Sequence, residues 1–402
     1  MKNEAERTQY ITSEKEVENF CQRLHIKYCE ELLPFYREGI ELFRKQGYAV
    51  LDKERLIRLN DKYYIFRRWF GDVLAAADAI REDEDLLIYI YTLVAVIKGR
   101  EKLSLLQAPD RQRMDTDFAP LFGILYFLED AIQEMEDRGV PFQVISDSMN
   151  GFENDMNAYF ELHGRSGMRS YVRWFIPIIR GELLWIGRLQ FEMTTLPYKI
   201  RVYQRGEDIK VLMDDVFMHE KGMLFGSAGQ TDEASKYWAD ITEEAGKVSG
   251  YGVNEFGECI KKKITLCGYE EKLRYKDPII SVHIPSDGNF SAQVCEESYR
   301  RAKEIFKKCY PEYKYKAMCC FSWMLEKRLK EIMGKDTNVT LFADKYVAFP
   351  LCSKGEDIYS FLYHLKEAVP PEELPEDTSM QRAVKNYLLD GNYFYEKGGF
   401  FL

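Results

Sequence analysis

The amino-acid sequence predicts an α+β protein, with a helical N-terminal domain packed on a mixed α/β C-terminal domain. Three observations carry that expectation. Up to about residue 163 apolar residues recur at spacings of three and four, the pattern of amphipathic helices. From about residue 279 strand-like runs alternate with helical windows, which implies a sheet with some parallel pairing. The pattern changes after His163-Gly164-Arg165-Ser166-Gly167, so the two domains are expected at 1–165 and 166–402.

In the first half, Leu32-Leu33-Phe35-Tyr36-Ile40-Leu42-Phe43 marks one helix face, and Gly47 stands where a left-handed residue would end that helix. Further helices are expected at 70–80, 84–98, 120–138 and 141–162, punctuated by Gly99, Pro109, Pro120, Gly139 and Pro141. Beyond the boundary, Leu183 to Glu192 and Lys199 to Tyr203 read as two strands of a hairpin. Residues from about 205 to 276 mix short strand-like pieces, Ile209 to Leu212 and Ile264 to Cys267, with Gly-rich and acidic connections, and read as an insertion. Ile279 to Ile284 is a strand, Pro285 to Asn289 a turn, and Cys295, Tyr299, Ala302, Phe306 and Cys309 mark the next helix. Ala317 to Phe321 reads as strand and Trp323 to Met333 as helix. Val339 to Ala343, Tyr346 to Pro350 and Tyr359 to His364 read as strands. Thr378-Ser379-Met380-Gln381 is a capping box that opens a last helix, stopped at Gly391.

Composition narrows the function. The chain carries 56 Lys+Arg against 66 Asp+Glu, a formal charge of -10, and sequence-independent phosphate binding needs a basic face. Neither a nucleic-acid partner nor a membrane partner is expected. The start, Met1 to Arg7, has no apolar signal segment, and the best apolar run, Leu86 to Ile97, is about half of the ~20 residues that span a bilayer. A cytoplasmic location is expected. Nine cysteines, an odd number without a Cys-x-x-Cys pair, read as reduced thiols. Cys21, His25 and Cys29 share a helix face, but no second Cys/His cluster completes a tetrahedron, so no metal is expected.

A Gly-x-Gly-x-x-Gly fingerprint, a Walker A loop, His-Glu-x-x-His and a Gly-x-Ser-x-Gly elbow are all missing. Arg44-Lys45-Gln46-Gly47-Tyr48-Ala49 matches the Gln/Arg-x-x-Gly-x-Gly/Ala loop of GNAT-class acetyl-CoA enzymes, but it closes a helix, whereas a pyrophosphate loop must follow a strand and open one. It reads as a helix C-terminus with favourable basic residues.

The right context is His283-Ile284-Pro285, then Ser286 to Gln293, then the helix from Val294. With it occur, in order, Gly187 to Glu192, Ser298-Tyr299-Arg300-Arg301-Ala302, Cys320-Phe321-Ser322-Trp323 and Asp377 to Arg382. In these pieces the chain resembles bacterial acyltransferase-domain proteins, which join a helical N-acyltransferase N-terminal domain to a GNAT-like C-terminal domain. The resemblance implies a GNAT-like sheet and acetyl-CoA or another acyl-CoA as co-substrate. It also implies direct attack on the thioester by an amine of a small molecule or peptide. The loop departs from the family motif in having only Gly288 where two small residues are usual.

That chemistry needs a held donor, a base, an oxyanion donor and an acid for the thiolate. The resemblance places the donor cradle on the backbone of 287–294, hence Asp287, Gly288, Asn289, Gln293 and Val294, with Arg300 and Arg301 as partners for the CoA phosphates. Glu296 and Glu297 compete there, since they already complement the helix dipole. His283 is the base candidate, or an imidazole that fixes the turn. Glu192 is the second candidate, or a surface carboxylate. Ser322 is an oxyanion donor, or the N-cap of the next helix. Arg188 either pairs with an acidic group or reaches a ligand. The reading requires an opening between the strands at 279–284 and 317–321, with free N–H groups at 288–294. Its rivals are a non-catalytic ligand-binding module on the same fold and an acidic scaffold for protein partners.

Overall fold

The computed structural model describes residues 13–100, 105, 108–110, 114–168, 172–285, 288, 290–365 and 367–402. It divides into two compact units, Met1–Leu184 and Trp185–Leu402.

The described helices of the first unit are α1 (Glu14–Leu24), α2 (Leu33–Gln46), α3 (Lys53–Tyr63), α4 (Phe70–Arg81), α5 (Glu84–Lys98), α6 (Met114–Asp137), α7 (Phe142–Ser148), α8 (Asn150–His163) and α9 (Ile176–Ile179). The run from Leu86 to Ile97 lies in α5, which is buried on nearly every face and is capped by Asp83, whose carboxylate accepts the Leu86 N–H. No described helix is long and apolar enough to cross a membrane. Two boundaries differ from the sequence reading. Helix α6 runs through Pro120 from Met114, so the proline stands inside the helix, in its second turn, and gives no N–H to it. The single window at 141–162 is two helices that turn at Met149.

In α8, Asp155 is pushed up to about 7 by burial, and among the described residues its Oδ2 has no hydrogen-bond partner. A carboxyl raised in the folded state adds stability below its unfolded pKa and loses it as pH rises through the folded one. The melting temperature is expected to fall as pH rises from about 4, the unfolded carboxyl's pKa, to about 7 and to level off above it, and Asp155→Asn flattens that fall. An unchanged pH profile in the variant would show that Asp155 does not carry it.

The strands begin at the unit boundary with β1 (Leu183–Ile186) and continue through the second unit as β2 (Leu189–Thr195), β3 (Ile200–Arg205), β4 (Asp208–Met213), β5 (Val216–His219), β6 (Lys236–Ala239), β7 (Thr242–Glu244), β8 (Lys247–Val253), β9 (Cys259–Cys267), β10 (Glu270–Arg274), β11 (Pro278–His283), β12 (Ala317–Ser322), β13 (Val347–Pro350) and β14 (Lys397–Phe401). The first sheet has the order β1-β2-β11-β12-β14-β13. In it β11 and β12 pair parallel, and α10 (Ala292–Cys309) connects them. The second sheet, β10-β3-β4-β8-β7 with β9 on β8, is built wholly from residues 200–274, and β5 with β6 makes a separate ribbon.

The sheet assignment corrects the expected hairpin of 183–192 with 199–203. The run at 183–192 is itself folded back at Gly187-Arg188, while Ile200–Arg205 pairs with β4 and β10 in the other sheet. Two expected strands are helices, Asn338–Asp344 and Asp357–Phe361, since a short apolar run looks the same in either state. Trp323 to Met333 is a 3-10 turn at Trp323–Leu325 and a short helix at Leu329–Met333. The capping box at Thr378 is present and opens Ser379–Leu389.

The two faces of the first sheet are buried differently. Ile279, Ala317, Cys319 and Phe400 share a core with Val202, Val211, Met213 and Leu273 of the second sheet. On the other face Tyr299 of α10 meets Phe191 at 6.1 Å and Phe401 at 5.2 Å between ring centres. Strand β14 is possible because Gly398 leaves room for the Phe349 ring, which a Cβ there would meet at 2.3 Å.

Candidate functional site

The pairing of β11 with β12 lasts for three residues, Ile279 with Ala317, Ile280 with Met318 and Ser281 with Cys319. Beyond that the strands follow different partners. Val282 and His283 stay on Phe191 and Gln190 of β2, while Cys320, Phe321 and Ser322 stay on Gly399, Gly398 and Lys397 of β14. The ladder therefore opens at the C-terminal ends of two parallel strands, where open α/β sheets receive ligands.

Helix α10 starts just past this opening. Ser291 is its N-cap, and its Oγ accepts the Val294 N–H at 3.5 Å. Among the described residues nothing accepts the N–H groups of Ala292 and Gln293, so these two first-turn donors are available to an anion. Gly288 has φ +90°, a conformation that suits glycine, and among the described residues only Arg188 atoms, at 3.9 Å, lie near the place its Cβ would take. Asp287 and Asn289 lie outside the described residues.

His283 and Glu192 are brought together. Ser281 lies opposite Glu192 and His283 opposite Gln190, so the four side chains share one face of the sheet. The diagonal places His283 Nε2 2.8 Å from Glu192 Oε2, with both side chains about a quarter exposed at 24% and 21%. Glu192 is thus a half-buried partner of an imidazole rather than a plain surface carboxylate.

Ser322 acts as a cap, its Oγ accepting the Met324 N–H at 3.1 Å. Its backbone lies on the side of the opening opposite His283. Arg300 points its charge along the exposed side of α10, bonded to Glu297 at 2.6 Å and Glu304 at 2.5 Å. Glu296 is paired with Lys345 at 2.7 Å. Arg301 approaches the β1-β2 turn, with Nη1 3.8 Å from the position of a Gly187 Cβ.

Arg188 is better placed than the sequence reading allowed. Its N–H donates to Ser298 Oγ at 2.8 Å, and its Nη2 donates to the Pro285 carbonyl at 2.7 Å. Its guanidinium lies 5.3 Å from the centre of the Phe290 ring. In the sequence Gly187-Arg188 lies within a run read as one strand, so the glycine was the only signal of a turn there. Ser298 and Phe290 gave none, because their contacts depend on how α10 docks.

A mixed sheet that opens between two parallel strands, with a helix N-terminus beside the gap, defines the GNAT-like class of α/β fold. Residues 183–401 match the family described as GNAT-like C-terminal domain, and residues 55–181 match N-acyltransferase N-terminal domain. The first match covers more than half of the chain, and the chain belongs to that family. Among solved structures, an acyltransferase mutant in complex with octanoyl-CoA is similar at a TM-score of 0.61 and 17% identity, covering 95% of this chain and 98% of that one. An acyltransferase in complex with decanoyl-CoA and teicoplanin is similar at 0.60 and 17%, with the same coverage. Another, with CoA and 10C-teicoplanin, gives 0.59 and 17%, again covering 95% and 98%. These likenesses are of fold. Comparison with curated proteins gives no match.

Proposed function

We propose that this protein is a GNAT-like N-acyltransferase that moves an acyl group from an acyl-CoA to an amine of a small molecule or peptide. The observation that carries the reading is the opening of β11 from β12 after Ser281 and Cys319, beside the first turn of α10. Acyl-CoA complexes of the similar structures and the teicoplanin in one of them support the same donor and acceptor classes.

The residues present fit such a donor. Ala292 and Gln293 offer backbone N–H groups for the diphosphate, Gly288 leaves the approach open, and the gap gives an acyl arm a path between the strands. The Val294 N–H is directed to Ser291, so Gln293 carries more of the cradle than Val294. Arg301, beside the hairpin turn, is the better placed of the two helix arginines to meet a phosphate, since Arg300 is engaged by Glu297 and Glu304. Bound acyl-CoA supplies an activated carbonyl and a thiolate leaving group.

Attack by the amine is direct. Burial pushes the thiols of Cys319 and Cys320, on the strand that borders the gap, well up, Cys320 to about 12, so neither is a thiolate nucleophile at neutral pH. His283, its Nε2 2.8 Å from Glu192 Oε2, is the group that takes the amine proton as the C–N bond forms. The C–S bond then breaks as the tetrahedral adduct collapses to the amide, and the leaving thiolate takes the proton that His283 received from the amine. Glu192 stabilises the imidazolium formed in between.

The test is a melting curve with acetyl-, octanoyl- and decanoyl-CoA, followed by thiol release with a pool of amines. A raised melting temperature with at least one thioester and thiol release that depends on the amine is the expected result. Stabilisation without turnover would replace the enzyme with a binding module of the same fold. No response to any thioester would overturn both readings.

A further inference from the structure

We infer that Arg188 is a positioning residue for the donor site, holding the loop after β11 and the first turn of α10 where a CoA diphosphate would be received; this rests on the acyl-CoA reading above. The geometry joins three elements through one side chain. The backbone N–H of Arg188 is held by Ser298 Oγ, which in turn donates to the Val294 carbonyl at 2.8 Å, so the β1-β2 turn is pinned to the first two turns of α10. The guanidinium reaches the Pro285 carbonyl at 2.7 Å on the strand side of the loop and the Phe290 ring at 5.3 Å on the helix side. Both ends of the loop are therefore tied to the same planar cation.

The close approach depends on Gly187. It has φ +67°, and a Cβ there would lie 2.7 Å from Ser298 Oγ, so only glycine lets the turn sit this near the helix. Arg188 also places a permanent positive charge behind the N-terminus of α10, where the dipole and the N–H groups of Ala292 and Gln293 already favour an anion. Lysine would keep the charge but not the planar fork that spans Pro285 and Phe290. The role is indirect. Arg188 orders the amides that grip the diphosphate and adds its field to theirs, without contact with the reacting carbonyl.

The test compares Arg188→Met and Arg188→Lys with the unaltered protein, using free CoA in calorimetry and two thioesters in turnover, acyl-CoA and the matching acyl-pantetheine, which lacks the nucleotide and its diphosphate. Arg188→Met is expected to weaken CoA binding and raise KM for acyl-CoA by about tenfold, the scale of one charge-assisted contact, with kcat little changed. Arg188→Lys should recover part of that loss. Kinetics with acyl-pantetheine should not change. Equal CoA affinity in all three proteins, or an equal loss with both thioesters, would overturn the inference. If Arg188→Met does not fold, Ser298→Ala releases the same anchor and should raise KM for acyl-CoA alone by a smaller factor. CoA binding without turnover in the unaltered protein would sink the transferase reading while leaving the Arg188 comparison intact. Absence of CoA binding there would remove both.

Discussion

His283→Ala lowers turnover by about 10²- to 10⁴-fold, the usual contribution of a positioned general base, and leaves the affinity for acyl-CoA within about twofold of the unaltered protein. The split follows from position. His283 ends β11 on the same sheet face as Glu192, whereas the proposed diphosphate donors belong to Ala292 and Gln293 of α10. Glu192→Gln keeps a hydrogen-bonding oxygen beside Nε2 but removes the charge that would stabilise the imidazolium, so a smaller loss confined to kcat is expected. Steady-state kinetics and a melting curve separate this from a structural role. If His283→Ala loses stability in proportion to activity, the imidazole serves only to hold the strand end.

The largest stability effect is expected at Lys397. Its side chain is fully buried, with Nζ 3.3 Å from the Gly257 carbonyl, 3.1 Å from Met223 Sδ and 3.8 Å from Glu326 Oε2. Glu326 is 1% exposed and accepts the Arg328 N–H at 3.2 Å. Burial pushes Glu326 up and Lys397 down, each opposed by the other's charge. Lys397→Met leaves the carboxylate in the interior without its buried lysine and should cost about 3–5 kcal/mol. Glu326→Gln with Lys397→Met removes both charges and should recover most of that cost.

The pH dependence gives the sign. A carboxyl with a raised folded pKa loses stability as pH rises through that pKa, while a lysine with a lowered one gains it over its own range. The pair tends to balance, and Lys397→Met exposes the carboxyl's slope. Its urea midpoint should therefore approach that of the unaltered protein on acidification and fall away as pH rises above the ordinary carboxyl range. A single variant no less stable than the double would show that the pair is not coupled. Because Lys397 sits opposite Ser322 and Pro350, the same loss would loosen the strand that holds β12 away from β11.

Much of the chain could be read before folding, where the signal lies within a few residues. The capping box at Thr378, the strand at 278–283 with α10 behind it, and the apolar run that became α5 are of this kind. So is Ser322, since a serine before a helical turn caps it through its own backbone neighbours. Strand β14 was not legible, because Gly398 and Gly399 weaken strand propensity and are explained only by the Phe349, Leu325 and Tyr346 side chains that lie on them.

Local pattern alone thus determined the helical first half, the alternating second half and the strand, turn and helix on which the candidate site stands. Tertiary structure decided which strands pair and where two of them part. It moved 200–205 into a second sheet, placed Glu192 diagonal to His283, and brought Arg188 across to Pro285, Phe290 and Ser298. Register and docking are set by contacts between residues far apart in the chain, so no spacing within a short window encodes them.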